Sequence, residues 1–243
     1  MGSKSKYAQY IVPILQKVIN DNNIRVYIEP FVGGANIIDK IKCDCRYGYD
    51  KSDTLIALLI QARDDFSKVL EEGSRELWDK GKGYVKDGIM PEDMTLADIG
   101  AMEFFGSFSN RGYPGGYAKN TANRNYFREA RANLEKQAPN LKGIIFYPGK
   151  YYELAHISGA VIYCDPPYAN TKQYGYASQE QMDYHRFWNW VREMSKDNYV
   201  FVSEQVAPDD FEIIWEMEAK RTIGKDNNFK ATEKLFRYKE GLK

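Results

Sequence analysis

Residues 25–36 read RVYIEPFVGGAN, a short β-branched and aromatic run that is followed by a glycine-rich turn. The run predicts a buried strand, and a helix-like stretch follows the turn. Glycines between a strand and a helix let the backbone approach a ligand closely. A second short strand, 47–50, ends in the carboxylate of Asp50, 17 residues past Gly33. An acid at this place in a βαβ unit can bind both hydroxyls of a ribose, so the stretch predicts a ligand-binding unit of an open α/β sheet.

A second motif, Asp165-Pro166-Pro167-Tyr168, follows the apolar run 160–164, which predicts another buried strand. In open α/β sheets, ligands bind at the carboxyl ends of the strands. The two prolines fix φ and leave two main-chain carbonyls outside any helix or sheet. Asp165 and one of those carbonyls can accept hydrogen bonds from an exocyclic amino group, and Tyr168 offers a face for stacking on its ring. An isolated motif of this kind is also typical of a strand-ending turn with a capping Asp.

Together, these motifs resemble the Dam-type adenine-N6 DNA methyltransferases, a family that includes many enzymes encoded by phages. The matching segments occur in the family's order, over about residues 1 to 238, and they are Gly2-Ser3-Lys4, Glu29–Asn36, Tyr49-Asp50 and Asp165–Tyr168. The resemblance implies an α/β, doubly wound S-adenosylmethionine-dependent methyltransferase fold with a mostly helical target-recognition insert. It also implies a site-specific enzyme that flips adenine out of double-stranded DNA and methylates its N6 amino group, with S-adenosylmethionine as cofactor.

The site residues that the resemblance implies carry over position by position. The catalytic residues are then Asp165, Pro166, Pro167 and Tyr168: the Asp165 carboxylate and the Pro166 carbonyl bind the target amine, and Tyr168 stacks on the base. Asp165 also orients the methionine end of the cofactor. The other implied cofactor contacts are Lys4, Tyr7, Glu29, Pro30, Phe31, Gly33, Gly34, Ala35, Asn36, Asp50 and Tyr151. Either Tyr7 substitutes for an aromatic residue that the family has before the lysine, or that contact is absent.

The segment between the two motifs interrupts the α/β pattern, which predicts the insert. We expect the target-recognition insert at residues 61–140 and the methyltransferase domain at 1–60 and 141–243. Helices are predicted over 7–20, 53–72 (with Asp53 as N-cap), 91–106 and 123–137, and a linker is predicted at Gly81-Lys82-Gly83. Strands are predicted at 143–147, 160–164 and 198–203.

Positive charge is concentrated in part of this insert, although the whole chain has 34 basic and 34 acidic side chains. Residues 111–136 carry six Lys or Arg against two Glu, interleaved with tyrosines and asparagines. Such a mixture contacts phosphates and bases in DNA complexes, but it is also typical of a solvated helix face. With the two motifs present, we expect a DNA-facing segment that contains Asn110, Arg111, Tyr117, Lys119 and Arg124.

Composition favours one globular enzyme and argues against several other classes of protein. The 243 residues are 43% hydrophobic and 28% charged, and no apolar run is long enough to span a membrane. The three cysteines have no zinc-like spacing, which predicts reduced thiols in a cytosolic protein. The family resemblance implies that the cell is a bacterial or phage-infected host. We therefore expect no metal site, no membrane contact and a monomer in solution.

Three other functions stay open on the sequence. An RNA adenine or guanine methyltransferase also uses Asp-Pro-Pro-Tyr and would share the sheet and the cofactor. A cytosine-N4 enzyme usually pairs a serine with Pro-Pro-Tyr, which makes it the poorer match. An inactive, methyltransferase-like nucleic-acid-binding module would keep the fold but would have no use for Asp165 and Tyr168.

Overall fold

The computed structural model describes residues 4–108, 112–121, 123–168, 182–219 and 231–242. The α-helices in these ranges are α1 (Ala8–Asp21), α2 (Asp53–Asp64), α3 (Arg75–Asp87), α4 (Leu96–Phe105), α5 (Tyr126–Leu141) and α6 (Tyr184–Met194). The strands are β1 (Val26–Glu29), β2 (Cys45–Asp50), β3 (Ile144–Pro148), β4 (Val161–Cys164), β5 (Tyr199–Glu204), β6 (Phe211–Ala219) and β7 (Ala231–Tyr238). Within the described ranges, the structure has no helix with the length and apolar character needed to cross a bilayer.

The strands form one seven-stranded sheet in the order β3-β2-β1-β4-β5-β7-β6. Strands β1 to β5 are parallel, and β7 runs antiparallel between β5 and β6. The chain leaves β1 toward β2 on one side, whereas β4 pairs with β1 on the other side. The strand order therefore reverses between β1 and β4, and at such a point the loops diverge and leave a crevice at the carboxyl ends of the strands.

Helices cover both faces of the sheet, so its central strands are buried on both sides. In β4, Val161 and Tyr163 pack into one apolar cluster with α1, α2, α4 and α5, while Ile162 and Cys164 pack into a second cluster with α6. This two-sided burial explains the uninterrupted apolar sequence of β4, because parallel strands covered on both faces do not alternate with polar residues. The predicted doubly wound α/β fold is confirmed.

The predicted elements are largely confirmed, and the differences have local causes. The predicted N-cap of α2, Asp53, is wrong: the Ser52 hydroxyl caps the helix by accepting from the Leu55 N–H at 3.2 Å. The helix also ends at Asp64 and not at residue 72, because Asp65 is extended and its carboxylate accepts from the Ser67 N–H at 3.1 Å. After the glycine-rich turn, the expected helix is only a single 3₁₀ turn, Ile38–Lys40.

The predicted linker at Gly81-Lys82-Gly83 is wrong, since these residues lie inside α3. The Ser74 hydroxyl caps the start of α3 by accepting from the Leu77 N–H at 3.1 Å, and Gly88 ends it in the left-handed conformation with φ 73°. Gly81 is required by packing, because a Cβ built on it would lie 2.0 Å from the Tyr113 hydroxyl oxygen. The glycines thus mark a close helix contact and not a break.

The region between α2 and β3 is mostly helical and shares its core with the rest of the chain. Trp78, Met102 and Phe105 belong to the same apolar cluster as the buried residues of α1 and α2. The division into residues 61–140 and the remainder stays a prediction.

Two glycines of α3 give a matched test of this packing. Gly81→Ala should lower the free energy of unfolding by about 1–3 kcal/mol, because the new methyl group would collide with buried Tyr113. Gly83→Ala is the control: no heavy atom lies within 4 Å of its Cβ position, and alanine stabilises a helix interior by about 1 kcal/mol over glycine. Urea unfolding of the two variants should give effects of opposite sign. Equal effects would contradict the close contact.

Candidate active site

Acidic side chains gather at the carboxyl edge of the parallel strands. Glu29 is the last residue of β1, Asp50 is the last residue of β2, and Asp165 follows β4 directly. Because β1 and β4 are neighbours, Glu29 and Asp165 are close enough for their charges to interact. The edge where the strand order reverses is therefore lined with carboxylates.

A buried ammonium group sits at the centre of this edge. The Nζ atom of Lys4 lies 2.8 Å from Oδ1 of Asp165 and 3.1 Å from Oε1 of Glu233 on β7. It also donates to the hydroxyl of Tyr168. That hydroxyl in turn donates to Glu233, with its oxygen 2.6 Å from Oε1 and 2.8 Å from Oε2. The four side chains form one connected polar network.

Burial and mutual attraction set the charges in this network. Burial lowers the pKa of Lys4, but the nearby charges of Asp165 and Glu233 outweigh that effect and hold the pKa above its ordinary value. Burial raises the pKa of Asp165, and the Lys4 charge opposes this rise. Burial also raises the pKa of Glu29 well above its usual range, despite a hydrogen bond from the Tyr27 hydroxyl at 2.8 Å. The Lys4 ammonium therefore stays protonated between the side chains of Asp165 and Glu233.

The glycine-rich turn is tied to Asp50 through main-chain hydrogen bonds. The Asp50 carboxylate accepts from the N–H of Gly33 at 3.1 Å and from the N–H of Ser52 at 3.1 Å. Burial raises the pKa of Asp50, and these two donors partly offset the shift. Gly33 has φ 48° and Ala35 has φ 54°, so two residues of the turn, one on each side of Gly34, adopt the left-handed conformation, and one of them is not glycine.

Helix α5 supports this strained turn from the side of the expected insert. The side-chain amide of Gln137 donates to the carbonyls of Gly34 and Ala35, each at 3.0 Å, and to the carboxylate of Asp39 at 3.1 Å. The side chain of Lys40 donates to the Asn36 carbonyl at 2.9 Å. These donors give hydrogen bonds to turn carbonyls that have no partner within a helix or sheet.

The two prolines of the Asp-Pro-Pro-Tyr segment differ in the hydrogen bonding of their carbonyls. The hydroxyl of Tyr184, at the start of α6, donates to the Pro167 carbonyl. Among the residues that the structure describes, none donates to the carbonyl of Pro166, which is itself a buried residue. The role of the Pro166 carbonyl as an acceptor for the target amine stays a prediction.

Two of the predicted cofactor contacts, Phe31 and Tyr151, lie in an aromatic cluster beside β1. Their ring centroids are 5.5 Å apart, and Phe31 packs edge-on against Phe187 of α6 at 5.8 Å. Pro30 is buried at the start of the same loop. Tyr7 lies elsewhere: it is buried with its ring 6.1 Å from that of Trp215 on β6.

The predicted DNA-facing residues are spread over different environments. Asn110 and Arg111 lie outside the described residues. Tyr117 is half-buried with its ring 5.9 Å from Trp78, and Lys119 is exposed. The Arg124 guanidinium is exposed and pairs with the Glu129 carboxylate through three hydrogen bonds of 2.9–3.0 Å.

Sequence reasoning missed two acidic residues of this region, Glu233 and Glu103. No strand is predicted at β7, so Glu233 has no position relative to the sheet until the chain folds. Glu103, on α4, accepts from the Thr54 hydroxyl at 2.8 Å, close to the turn that holds Asp50. Its only sequence signal is an acid in the apolar stretch Ile99–Phe105.

No metal site accompanies these carboxyl groups in the part of the chain that is described: its His, Cys, Asp and Glu residues form no group of three or more placed to hold an ion.

Comparisons with known proteins bear on this arrangement. A family model for the D12 class of N6 adenine-specific DNA methyltransferases matches residues 95–230, more than half of the chain. No curated protein sequence matches. Two solved structures of the rRNA methyltransferase aviRa from Streptomyces viridochromogenes are similar at 9% sequence identity. The one at 2.4 Å has a TM-score of 0.44 and a match that covers 97% of this chain and 85% of that chain. The one at 1.5 Å has a TM-score of 0.38, and its match covers 94% of this chain and 84% of that chain. These likenesses are too distant to indicate a substrate.

The environment of Glu103 predicts a pH-dependent stability. Burial raises its pKa from 4.5 to about 7, and the charges of Asp50 and Asp53 add to the shift. Between these pH values the folded protein keeps a proton that the unfolded chain has lost, so rising pH favours unfolding. Relative to Glu103→Gln, the wild-type free energy of unfolding should fall by about 3 kcal/mol from pH 4.5 to pH 7.

Denaturant unfolding across this pH range measures the effect, with the exposed Glu92→Gln as control. A constant difference between wild type and Glu103→Gln would contradict the raised pKa.

Proposed function

Because the chain belongs to the D12 class of N6 adenine-specific DNA methyltransferases, we propose that it transfers a methyl group from S-adenosylmethionine to N6 of adenine at specific sites in duplex DNA. The observation that carries the proposal is the pair of acceptors after β4. The Asp165 carboxylate and the Pro166 carbonyl lie at the carboxyl edge of the sheet, where open α/β folds bind their ligands. An exocyclic amino group has two N–H donors, which match these two acceptors.

The residues around the edge fit S-adenosylmethionine, which supplies an electrophilic methyl group when bound. The cofactor carries positive charge, which the carboxyl groups of Asp50 and Asp165 would favour. Asp50 is the acceptor for the ribose hydroxyls, at the end of the second strand of the βαβ unit. The turn at Gly33 and Gly34 lets the backbone approach a ligand closely, because neither residue carries a Cβ.

The remaining predicted contacts complete this binding site in our proposal. Phe31 and Tyr151 supply an apolar wall, and Lys4, which pairs with Asp165 and Glu233, would lie near the methionine moiety. Pro30, Ala35 and Asn36 belong to the same turn. Tyr7 is buried against Trp215, so its part in cofactor binding would be to support the 3₁₀ turn that carries Lys4.

The chemistry follows from the nature of the target amine. The lone pair of adenine N6 is delocalised into the ring, which makes the amine a weak nucleophile. Hydrogen bonds from its two N–H groups to Asp165 and to the Pro166 carbonyl concentrate electron density on nitrogen and fix its direction. Tyr168 stacks on the base and keeps water from it. As the N–H proton is lost, the Asp165 carboxylate is the nearest base.

An adenine inside a duplex must leave the base stack to reach these groups, at a cost of a few kcal/mol. The basic residues of the segment 111–136 would hold the surrounding DNA. Lys119 is exposed and can contact a phosphate directly, whereas Arg124 must exchange its Glu129 partner for a phosphate. The target-recognition role of residues 61–140 is part of the same proposal.

Asp165→Asn tests the proposed function. The amide keeps the shape of the side chain but loses the negative charge, so single-turnover methylation of duplex DNA should fall at least about 100-fold. Mass spectrometry of the digested nucleosides measures N6-methyladenine directly, and the exposed Asp209→Asn is the control. Methylation of RNA in place of DNA, or formation of N4-methylcytosine, would contradict the proposed substrate. Full activity of Asp165→Asn would contradict the proposed chemistry.

Lys119→Ala tests the DNA-facing segment. Loss of one phosphate contact should weaken binding to all DNA sequences alike and reduce the slope of log affinity against log salt by about one. Fluorescence anisotropy with labelled duplexes between low and moderate salt measures the slope. Lys17→Ala on α1, where the lysine pairs with Asp21, is the control and should leave the slope unchanged. An unchanged slope for Lys119→Ala would place the DNA surface elsewhere.

A further inference from the structure

Glu233 reaches the active-site edge because β7 runs antiparallel to its neighbour β5. The parallel strands β4 and β5 end at this edge, whereas antiparallel β7 begins there, with Lys234 paired to Glu204 at the end of β5. Glu233 stands one residue before that pair, so it is held by the sheet and not by a loop. Only 6% of its surface is exposed.

The contacts of Glu233 are directed at Tyr168. Both carboxylate oxygens lie within 2.8 Å of the Tyr168 hydroxyl oxygen, and the same carboxylate is 3.1 Å from Nζ of Lys4. A hydroxyl bonded to a buried carboxylate makes a stronger hydrogen bond than a neutral pair. The ring of Tyr168 is therefore fixed at its far end, while its near end follows two conformationally restricted prolines.

We propose that Glu233 is a positioning residue for the methyl-transfer reaction, which it serves by fixing the ring of Tyr168 in the orientation that stacks on the extruded adenine. This inference rests on the proposed function. An anchor at the hydroxyl removes the rotation that would otherwise misplace the base. One face of the ring lies against the Lys4 ammonium, with Nζ 4.5 Å from the ring centroid, so the extruded adenine would stack on the opposite face. Through Lys4, the same carboxylate also links the stacking ring to the Asp165 acceptor, since one ammonium binds both acids.

The proposal gives the Tyr168 hydroxyl a function, although stacking itself needs only the ring. Tyr168→Phe keeps the ring and loses the anchor, and Glu233→Leu keeps the ring and its hydroxyl but loses the acceptor. Glu233→Gln retains one acceptor oxygen without the charge. If Glu233 acts through Tyr168, the rate losses of the two variants should be non-additive, although Glu233→Leu also removes a partner of Lys4 and can be the slower of the two.

The test is a double-mutant cycle on the full chain with saturating S-adenosylmethionine and duplex DNA. Tyr168→Phe and Glu233→Leu should each lower the single-turnover rate about 10- to 100-fold, and the double variant should be no slower than the slower single variant. Glu233→Gln should lie between wild type and Glu233→Leu. DNA with 2-aminopurine at the target position adds a readout without turnover: weaker stacking on the ring should raise its fluorescence in both single variants.

Several outcomes would overturn the inference. A wild-type rate for Glu233→Leu would remove any positioning role, and rate losses that multiply in the double variant would mean that Glu233 acts separately from Tyr168, for example through Lys4 alone. Should Glu233→Leu fail to fold, as judged by circular dichroism, the same comparison uses Glu233→Gln, for which unchanged 2-aminopurine fluorescence and rate would refute the anchor. Absence of adenine methylation by the wild-type chain would instead refute the proposed function itself.

Discussion

The buried ammonium group of Lys4 joins three parts of the chain that are remote in sequence: the first described turn, the loop after β4 and the start of β7. Burying a charge is costly unless it is paired and hydrogen-bonded, and removing one partner leaves an uncompensated charge. The positions of Asp165 and Glu233 are therefore mutually dependent. Because Asp165 follows the central strand β4, this pairing sets the geometry of the whole carboxyl edge.

The electrostatic character of the edge follows from sheet topology. Parallel strands bring their last residues together, so the acids that end β1 and β2 and follow β4 meet on one side of the sheet. Their burial raises the pKa values of Glu29, Asp50 and Asp165, and such shifts are concentrated where proteins bind ligands or perform chemistry. An edge of this kind is suited to a cationic ligand and to a substrate that donates hydrogen bonds.

The expected insert is connected to this edge at two points. At the first point, the side-chain amide of Gln137 on α5 donates hydrogen bonds to carbonyls of the glycine-rich turn. At the second, the Glu103 carboxylate on α4 accepts a hydrogen bond from the Thr54 hydroxyl, next to the loop that anchors Asp50. Ser52 completes the second connection, since its hydroxyl lies 3.0 Å from that of Thr54 and its N–H donates to Asp50. A displacement of these helices by bound DNA would therefore act on the same turn that binds the cofactor in our proposal.

The sequence alone determined the α/β class, most helices and strands, and the places of Asp50 and Asp165 at strand ends. Each of these depends on local patterns: two-sided burial of short apolar runs, glycines at a turn, and an acid after an apolar run. Family membership, predicted from the same motifs, is confirmed. Only the tertiary structure decided that Glu233 belongs to the site and that Gly81 lies inside a helix. Each residue contacts a partner that is distant in the sequence: Glu233 contacts Tyr168, and Gly81 packs against Tyr113. Local periodicity carries no information about such partners, since the sheet order and the helix packing arise only when the whole core forms.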